Sequence, residues 1–179
     1  MAKTLIIYGT TEGQTAKIAQ HLADVGRRLG HVVDVVHAPE FVPGSLPSYE
    51  GVLVGGSLHE GRYQRDVAAF VREHARALAG RPGGFFSVSL GAISSHADEV
   101  AEVQKIMDTF LSEYGWKPSL TANLGGALKY TQYNWLKRAL MKHISKKEGG
   151  PTDTSRDHEF TDWTQVTQFG ERFFGLLAR

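Results

Sequence analysis

Short apolar runs alternate with amphipathic stretches along most of this chain, and that alternation leaves few folds open. Residues 4–8 form a β-rich run around Leu5-Ile6-Ile7, and from Thr15 onward Ile18, Ala19, Leu22, Ala23, Val25 and Leu29 recur at helical spacing up to Gly30, a suitable helix stop. Residues 32–36 and 51–55 read as the second and third strands. Residues 66–78 read as a helix with Val67, Phe70, Val71, His74 and Leu78 on one side, followed by a fourth strand at 85–90. A third helix over 98–114 turns Val100, Val103, Ile106, Met107, Phe110 and Leu111 inward; a fifth strand at 120–124 and a last helix over 162–177 complete the pattern. Strands this continuously apolar are buried on both faces, which requires a parallel sheet between two helical layers. The predicted fold is a doubly wound α/β sheet of order 2-1-3-4-5, whose ligand would lie beyond the carboxyl ends of the strands, between the first and third. A length of 179 residues suits one domain, 1–179, with 126–161 as an extra segment outside the alternation.

Composition narrows the chemistry. There is no cysteine, so thiol catalysis, iron–sulfur clusters and disulfides are excluded, and any redox reaction needs a bound organic cofactor. The eight histidines are scattered, with no pair at the spacing that places two imidazoles on one helical face, and no metal site is expected. No run of about 18 apolar residues occurs, and MAKTLIIYG is too short in its apolar part to resemble a signal peptide. A cytoplasmic location follows as the expectation, and no nucleic-acid partner is expected.

The stretch YGTTEGQT joins the first strand to the first helix. Backbone N–H groups and the unpaired donors of the helix N-terminus converge there, where the helix dipole also favours an anion. Thr10, Thr11 and Thr15 add hydroxyls, Gly13 permits close backbone approach, and Glu12 and Gln14 complete the loop. A phosphate monoester fits this set. GxxxxGK[ST] and GxGxxG are both missing, so neither a P-loop nor a dinucleotide fingerprint is present. The alternative is that the threonines merely cap the helix.

Two further loops fall beside it if the strand order holds. GGSLHEGRY follows the third strand and supplies Ser57, Leu58, His59, Gly61 and Tyr63; SLGAISSH follows the fourth and supplies Ser89, Leu90, Gly91 and Ala92. Glycine and small polar residues let main chain lie edge-on to a flat ring and hydrogen-bond it, with Tyr63 or His59 as a stacking partner. Either aromatic alone is as readily explained by ordinary packing.

Taken together, these motifs resemble the flavodoxin-like flavoproteins, in which the first loop holds the FMN phosphate and the other two the isoalloxazine. The closer likeness is to the flavodoxin-type, menaquinone-dependent protoporphyrinogen oxidases of bacteria. It runs nearly end to end, through TTEGQT, VGGSLHEGRY, FFSVSL, Trp116 to Pro118, GGALKYTQYNWLKRALMKHIS and GGPTDTSRDHEFTDWTQV. The resemblance implies FMN as cofactor, oxidation of protoporphyrinogen IX in haem biosynthesis, a quinone acceptor, and 126–161 as the family's characteristic segment. No side chain need act as catalyst, because the flavin carries the chemistry. Two departures stand out: His59-Glu60 replaces a basic Arg-Tyr pair, and GAISSHADEVAEV replaces a basic stretch after the fourth strand. An electron-carrier flavodoxin and a small NAD(P)H–quinone reductase are the alternatives; a carrier would call for a strongly acidic docking surface.

Charge is uneven. Residues 129–147 carry Lys129, Lys137, Arg138, Lys142, Lys146 and Lys147 and no acid, a local +6 in a chain of net +1. Over 133–147, Tyr133, Leu136, Leu140, His143 and Ile144 share one helical face with the cations around the rest. Such a helix suits either peripheral contact with the inner face of the cell membrane or a carboxylate-bearing substrate, with plain packing on the domain as the alternative. Tyr130, Tyr133, Trp135, Lys137 and Arg138 are the candidate substrate or partner residues. A homo-oligomer is left open.

Overall fold

The computed structural model describes residues 1–147 and 149–177, apart from the side chain of Lys147, so that member of the basic run lies outside the described residues. Five strands, β1 (Lys3–Gly9), β2 (Val32–His37), β3 (Gly51–Ser57), β4 (Gly83–Ser89) and β5 (Leu120–Gly125), form one sheet of order β2-β1-β3-β4-β5. Every neighbouring pair is parallel. The predicted order and class are observed.

Period-two alternation decides which helices cover which face. Leu5, Ile7, Val52, Val54 and Phe85 point to one side, where α2 (Arg65–Ala79) and α3 (Ala97–Glu113) bring Val67, Phe70, Val71, Leu78, Met107 and Leu111 against them. Ile6, Leu53, Phe86, Val88 and Leu124 point to the other, against Ile18, Leu22 and Val25 of α1 (Gln14–Arg28) and Val166, Phe169, Phe173 and Phe174 of α5 (Trp163–Leu177). All residues of β3 and β4 are buried, as central strands of a doubly covered sheet must be. Asp162 caps α5, its Oδ1 accepting from the N–H groups of Thr164 and Gln165 at 2.9 and 3.1 Å.

Two details of the periodicity reading change. Val100, expected inward on α3, is 38% exposed: the whole first turn of that helix is exposed and its buried stripe begins at Val103. Strand β4 begins at Gly83 rather than 85, since the sheet accepts Gly83 and Gly84 opposite Val52 and Leu53 although neither brings a side chain to the pattern.

The extra segment has structure of its own. Ala127–Leu128 (β6) and His158–Glu159 (β7) pair antiparallel and close a loop that holds α4 (Trp135–Lys147). Leu128, Tyr130 and Tyr133 form a small separate cluster with Leu90, Met141 and Phe160 against it. Tyr133, expected on the helix face, instead precedes the helix in extended backbone, and Asn134 starts the helix by accepting from Lys137 N–H at 2.8 Å. No helix among the described residues is long and apolar enough to cross a membrane.

Candidate functional site

Beyond the carboxyl ends of β1, β3 and β4 lies a cavity of about 610 Å³. Thr10, Glu12, Gln14 and Thr15 line it from the first loop, residues 57–61 from the second and Ser89, Leu90 and Gly91 from the third. Tyr133, Lys137, Leu140, Met141 and Ile144 of the extra segment close the remaining side. The three loops therefore meet at one place, as the strand order required, and the extra segment, whose position was left open, joins them there.

The first loop is not a simple threonine cap. The residue entering α1 is Gly13 at φ 87°, a left-handed conformation that suits glycine, and no side chain caps the helix. Thr10 Oγ1 accepts from Gly13 N–H at 2.9 Å, and Thr11 Oγ1 accepts from Gln64 Nε2 at 3.0 Å. Thr15 is fully buried, lines the cavity, and its hydroxyl has no partner among the described residues; Gln14 Oε1 is likewise buried and unpaired. Buried hydroxyls are ordinarily hydrogen-bonded, so the orphaned Thr15 hydroxyl beside an uncapped helix N-terminus fits as a donor to an anionic oxygen ligand such as a phosphate, whereas Gln14 Oε1 can only accept a hydrogen bond. The other end of the Gln14 amide is used: Nε2 donates to Thr161 Oγ1 at 2.8 Å, and Thr161 donates to the Gly125 carbonyl at 2.7 Å.

Gln64 is a residue that the sequence reading missed. Its amide donates to the Ser57 hydroxyl as well as to Thr11, while its Oε1 accepts from Ser57 N–H at 3.1 Å, so one side chain locks the first loop to the second. Further along, Leu58 N–H donates to the Val88 carbonyl at 2.8 Å, and His59 and Arg62 exchange backbone bonds across a two-residue turn. Glu60, in that turn, is the only non-glycine residue at positive φ, 50°, among the described residues. Such a conformation is uncommon outside glycine, asparagine and aspartate and is concentrated at functional loops. In the third loop Ser89 Oγ accepts from Ala92 N–H, and Gly126 N–H donates to the Ser89 carbonyl at 3.0 Å, which ties the extra segment to the β4 loop.

Electrostatics at the mouth centre on Glu12. Its carboxylate accepts from Tyr133 OH at 2.7 Å and pairs with Lys137 Nζ at 2.7 Å, and the same ammonium lies 4.3 Å from the centre of the Tyr133 ring. Burial, and secondly the bond to Glu12, push the Tyr133 phenol well above its usual pKa, so it remains a donor. His59 is exposed as a residue, yet protein packed around its ring disfavours the imidazolium and lowers its pKa; Lys137 adds to this, and Glu12 and Glu60 oppose it.

Not every candidate comes to the cavity. Tyr63 is buried between Phe85 and Phe110, its hydroxyl pushed up to about 12 by burial, and it lines a second cavity of about 510 Å³ between α2 and α3. It packs the core and does not stack at this site. Thr11, Gly13 and Ala92 act from behind the lining through the backbone and side-chain bonds above. Tyr130 is fully buried with its hydroxyl donating to the Pro151 carbonyl at 3.0 Å, and Arg138 staples the segment by donating to the Tyr130 and Tyr133 carbonyls, both at 3.0 Å. Trp135 stands 80% exposed, away from the cavity. Glu60, Val103, Ile106, Gly126, Leu140, Met141 and Ile144 line the cavity without having been expected there. Of the three α4 members, Leu140 and Ile144 had a sequence signal, their shared helical stripe, and Met141 had none.

The model of the flavodoxin domain matches residues 5–155. The chain belongs to the flavodoxin domain family. This flavodoxin-domain chain is 35% identical over 177 residues to a protoporphyrinogen IX dehydrogenase [quinone] of Escherichia coli, covering 99% of this chain and 97% of that one. A protein of the same description from Leishmania major is 34% identical over 97% of this chain and 75% of its own length. An NAD(P)H dehydrogenase (quinone) of Nitrobacter winogradskyi is 32% identical over only 50% of this chain and 57% of its own length. Among solved structures, oxidised flavodoxin 1 from Bacillus cereus superposes with a TM-score of 0.60 at 18% identity, covering 97% of this chain and 98% of that one, a likeness of fold.

Proposed function

We propose that this protein is an FMN-dependent protoporphyrinogen IX dehydrogenase that passes electrons to a quinone and serves haem biosynthesis. The observation that carries the reading is the full-length likeness to the Escherichia coli dehydrogenase, which includes the extra segment, where the NAD(P)H dehydrogenase likeness spans half the chain. The residues fit FMN: an uncapped helix N-terminus with an orphaned Thr15 hydroxyl for the phosphate, and glycine-rich loops at 57–61 and 89–91 for the ring.

When bound, the flavin supplies the two-electron chemistry. The chain's own part is placement. Gln64 holds the first two loops in register, Ser57 to Gly61 and Ser89 to Gly91 present backbone donors and acceptors to a planar ring, and Val88, Val103, Ile106, Leu140 and Met141 keep water from the cavity wall. Tyr133, with Lys137 beside it, faces the approach to the cavity from the extra segment.

Peripheral contact with the inner face of the cell membrane belongs to the same proposal. Trp135, Leu136, Leu140 and Ile144 are exposed on α4, beside exposed Lys142 and Lys146, a combination that suits an anionic lipid surface from which a quinone is reached. The test of the reaction is anaerobic mixing of the FMN-loaded protein with protoporphyrinogen IX, then with a menaquinone analogue, following flavin absorbance. Bleaching and recovery at turnover rates support the dehydrogenase; a flavin that ignores the porphyrinogen but bleaches with NAD(P)H alone would assign a quinone reductase instead.

A further inference from the structure

The first loop presents an electrostatic problem. A phosphate monoester carries nearly two negative charges at neutral pH, the loop holds no lysine or arginine, and it places a carboxylate, Glu12, in the same cavity lining. Helix α1 adds only a partial positive charge at its N-terminus. Of the described residues lining this cavity, Lys137 is the one lysine or arginine, and it comes from the extra segment 125 residues away. The remaining titratable groups of the lining are Glu12, His59, Glu60 and Tyr133, and the packing around His59 disfavours its charged form.

We propose that Lys137 is the charge partner of the FMN phosphate, and that Glu12 and Tyr133 are positioning residues which hold its ammonium at the phosphate loop. The inference rests on the FMN reading above. Glu12 is largely buried, its side chain 13% exposed, and both of its carboxylate oxygens are used, one by Tyr133 OH and one by Lys137. Tyr133 is itself fixed: its hydroxyl accepts from Lys129 N–H at 3.2 Å, and its carbonyl accepts from Arg138. The Lys137 side chain, by contrast, is 45% exposed and keeps donor capacity beyond its bond to Glu12. A buried, doubly bonded carboxylate and a half-free ammonium form a tether with a usable end. In this arrangement the extra segment is part of the cofactor site, and a phosphate that enters the loop completes a chain of alternating charge: phosphate, Lys137, Glu12.

The experiment measures the affinities of the flavin-free, full-length protein for FMN and for riboflavin, which lacks the phosphate, by quenching of flavin fluorescence at several salt concentrations. The quantity read is the ratio of the two dissociation constants. Lys137→Met is expected to reduce the preference for FMN by about tenfold at low salt, with the loss shrinking as salt screens the charges, while riboflavin affinity stays within a factor of about two. Lys137→Arg keeps the charge and is expected to retain the preference. Glu12→Gln still accepts from Tyr133 but removes the ion pair that positions the Lys137 ammonium, so its preference for FMN is expected to fall, by less than that of Lys137→Met because the loss of its own negative charge offsets part of the effect. If Lys137→Met weakens both flavins equally, or neither, Lys137 holds only the segment and the inference is overturned. If the unaltered protein binds FMN and riboflavin alike, the FMN reading itself fails, a result distinct from a wild-type preference that the variants leave untouched.

Discussion

The sheet and the extra segment are built on different principles. Within β3 and β4 every residue is buried, and two apolar layers close over the sheet from both sides. In α4, Leu136 and Leu140 are 63% and 57% exposed, and the segment's own core is three residues. What holds the segment is a set of directional bonds: Lys129 to Asp157 at 3.7 Å, Thr131 to Asp157, Tyr130 to Pro151, Arg138 to two carbonyls, and Tyr133 and Lys137 to Glu12. The first region is placed by removal of apolar surface from water, which is large and non-directional. The second is placed by polar contacts whose net worth is about 1 kcal/mol each, so it can detach while the sheet stands.

The largest effects therefore belong to the sheet. Phe86 is fully buried and its ring lies against Gly55 and Phe169. Phe86→Ala is expected to cost about 3–5 kcal/mol in urea denaturation, a substantial part of an ordinary domain's stability. Tyr130→Ala, at an equally buried position in the segment, is expected to raise amide exchange and proteolysis between residues 127 and 159 while leaving protection in β1, β3 and β4 unchanged. A global loss from Tyr130→Ala as large as that from Phe86→Ala would merge the two regions into one cooperative unit.

A middle effect concerns the junction. Gly13 sits at φ 87° with nothing within reach of an added methyl group, so Gly13→Ala tests backbone conformation alone. Left-handed backbone costs an ordinary residue about 1–2 kcal/mol. We expect a loss of that size in flavin affinity or in stability, read by flavin titration and by urea denaturation of the flavin-free protein. No change in either would show that the loop relaxes freely and does not need its left-handed entry.

The same contrast explains what was legible in the sequence. Strand and helix positions, sheet order and the meeting of three loops follow from hydrophobic periodicity, because burial on two faces writes itself into the pattern of Leu5 to Ile7, Val52 to Val54 and Phe85-Phe86. Glu12 was legible as a loop member, but its bonds to Tyr133 and Lys137 span more than 120 residues and leave no periodic trace. Gln64 was invisible for a similar reason: at the start of α2 a glutamine is unremarkable until its amide is seen bridging Thr11 and Ser57. Tyr63 misled in the opposite direction, since an aromatic beside a glycine-rich loop suggests stacking, yet its ring turns into the core against Phe85 and Phe110.

The contrast also predicts how acid acts. Burial tends to raise the Asp157 pKa, but bonds from Thr131 and the Lys129 ammonium outweigh it and hold the carboxyl below the ordinary carboxylate range. Asp153, with Ser155 and then Arg156 as its main partners, is lowered as well. A carboxyl with a lowered folded pKa contributes stability that is fully present above its unfolded value, about 4, and is lost as pH falls through the folded value. Exchange protection around β6 and β7 is therefore expected to decline at acid pH before that of the sheet, and Asp157→Asn is expected to lower this protection at neutral pH and remove much of its acid dependence. Parallel loss in both regions would mean that the segment has no separate acid response.

The smallest expected effect on stability falls on the α4 stripe. Because Leu136 and Leu140 are mostly in water, replacing both by serine removes little buried surface, and a change within about 0.5 kcal/mol is expected in urea denaturation. Attachment to lipid should respond quite differently. An exposed apolar stripe beside Lys142 and Lys146 gains both apolar burial and charge attraction at an anionic bilayer, and gains neither if the helix merely stands in solvent. Sedimentation with anionic vesicles should carry down the unaltered protein and not the double serine variant, and zwitterionic vesicles should carry down much less of either. Equal binding by the two proteins would place the lipid contact elsewhere. Failure of the unaltered protein to bind anionic vesicles would leave Leu140 and Ile144 their role in the cavity wall and confine α4 to the flavin site.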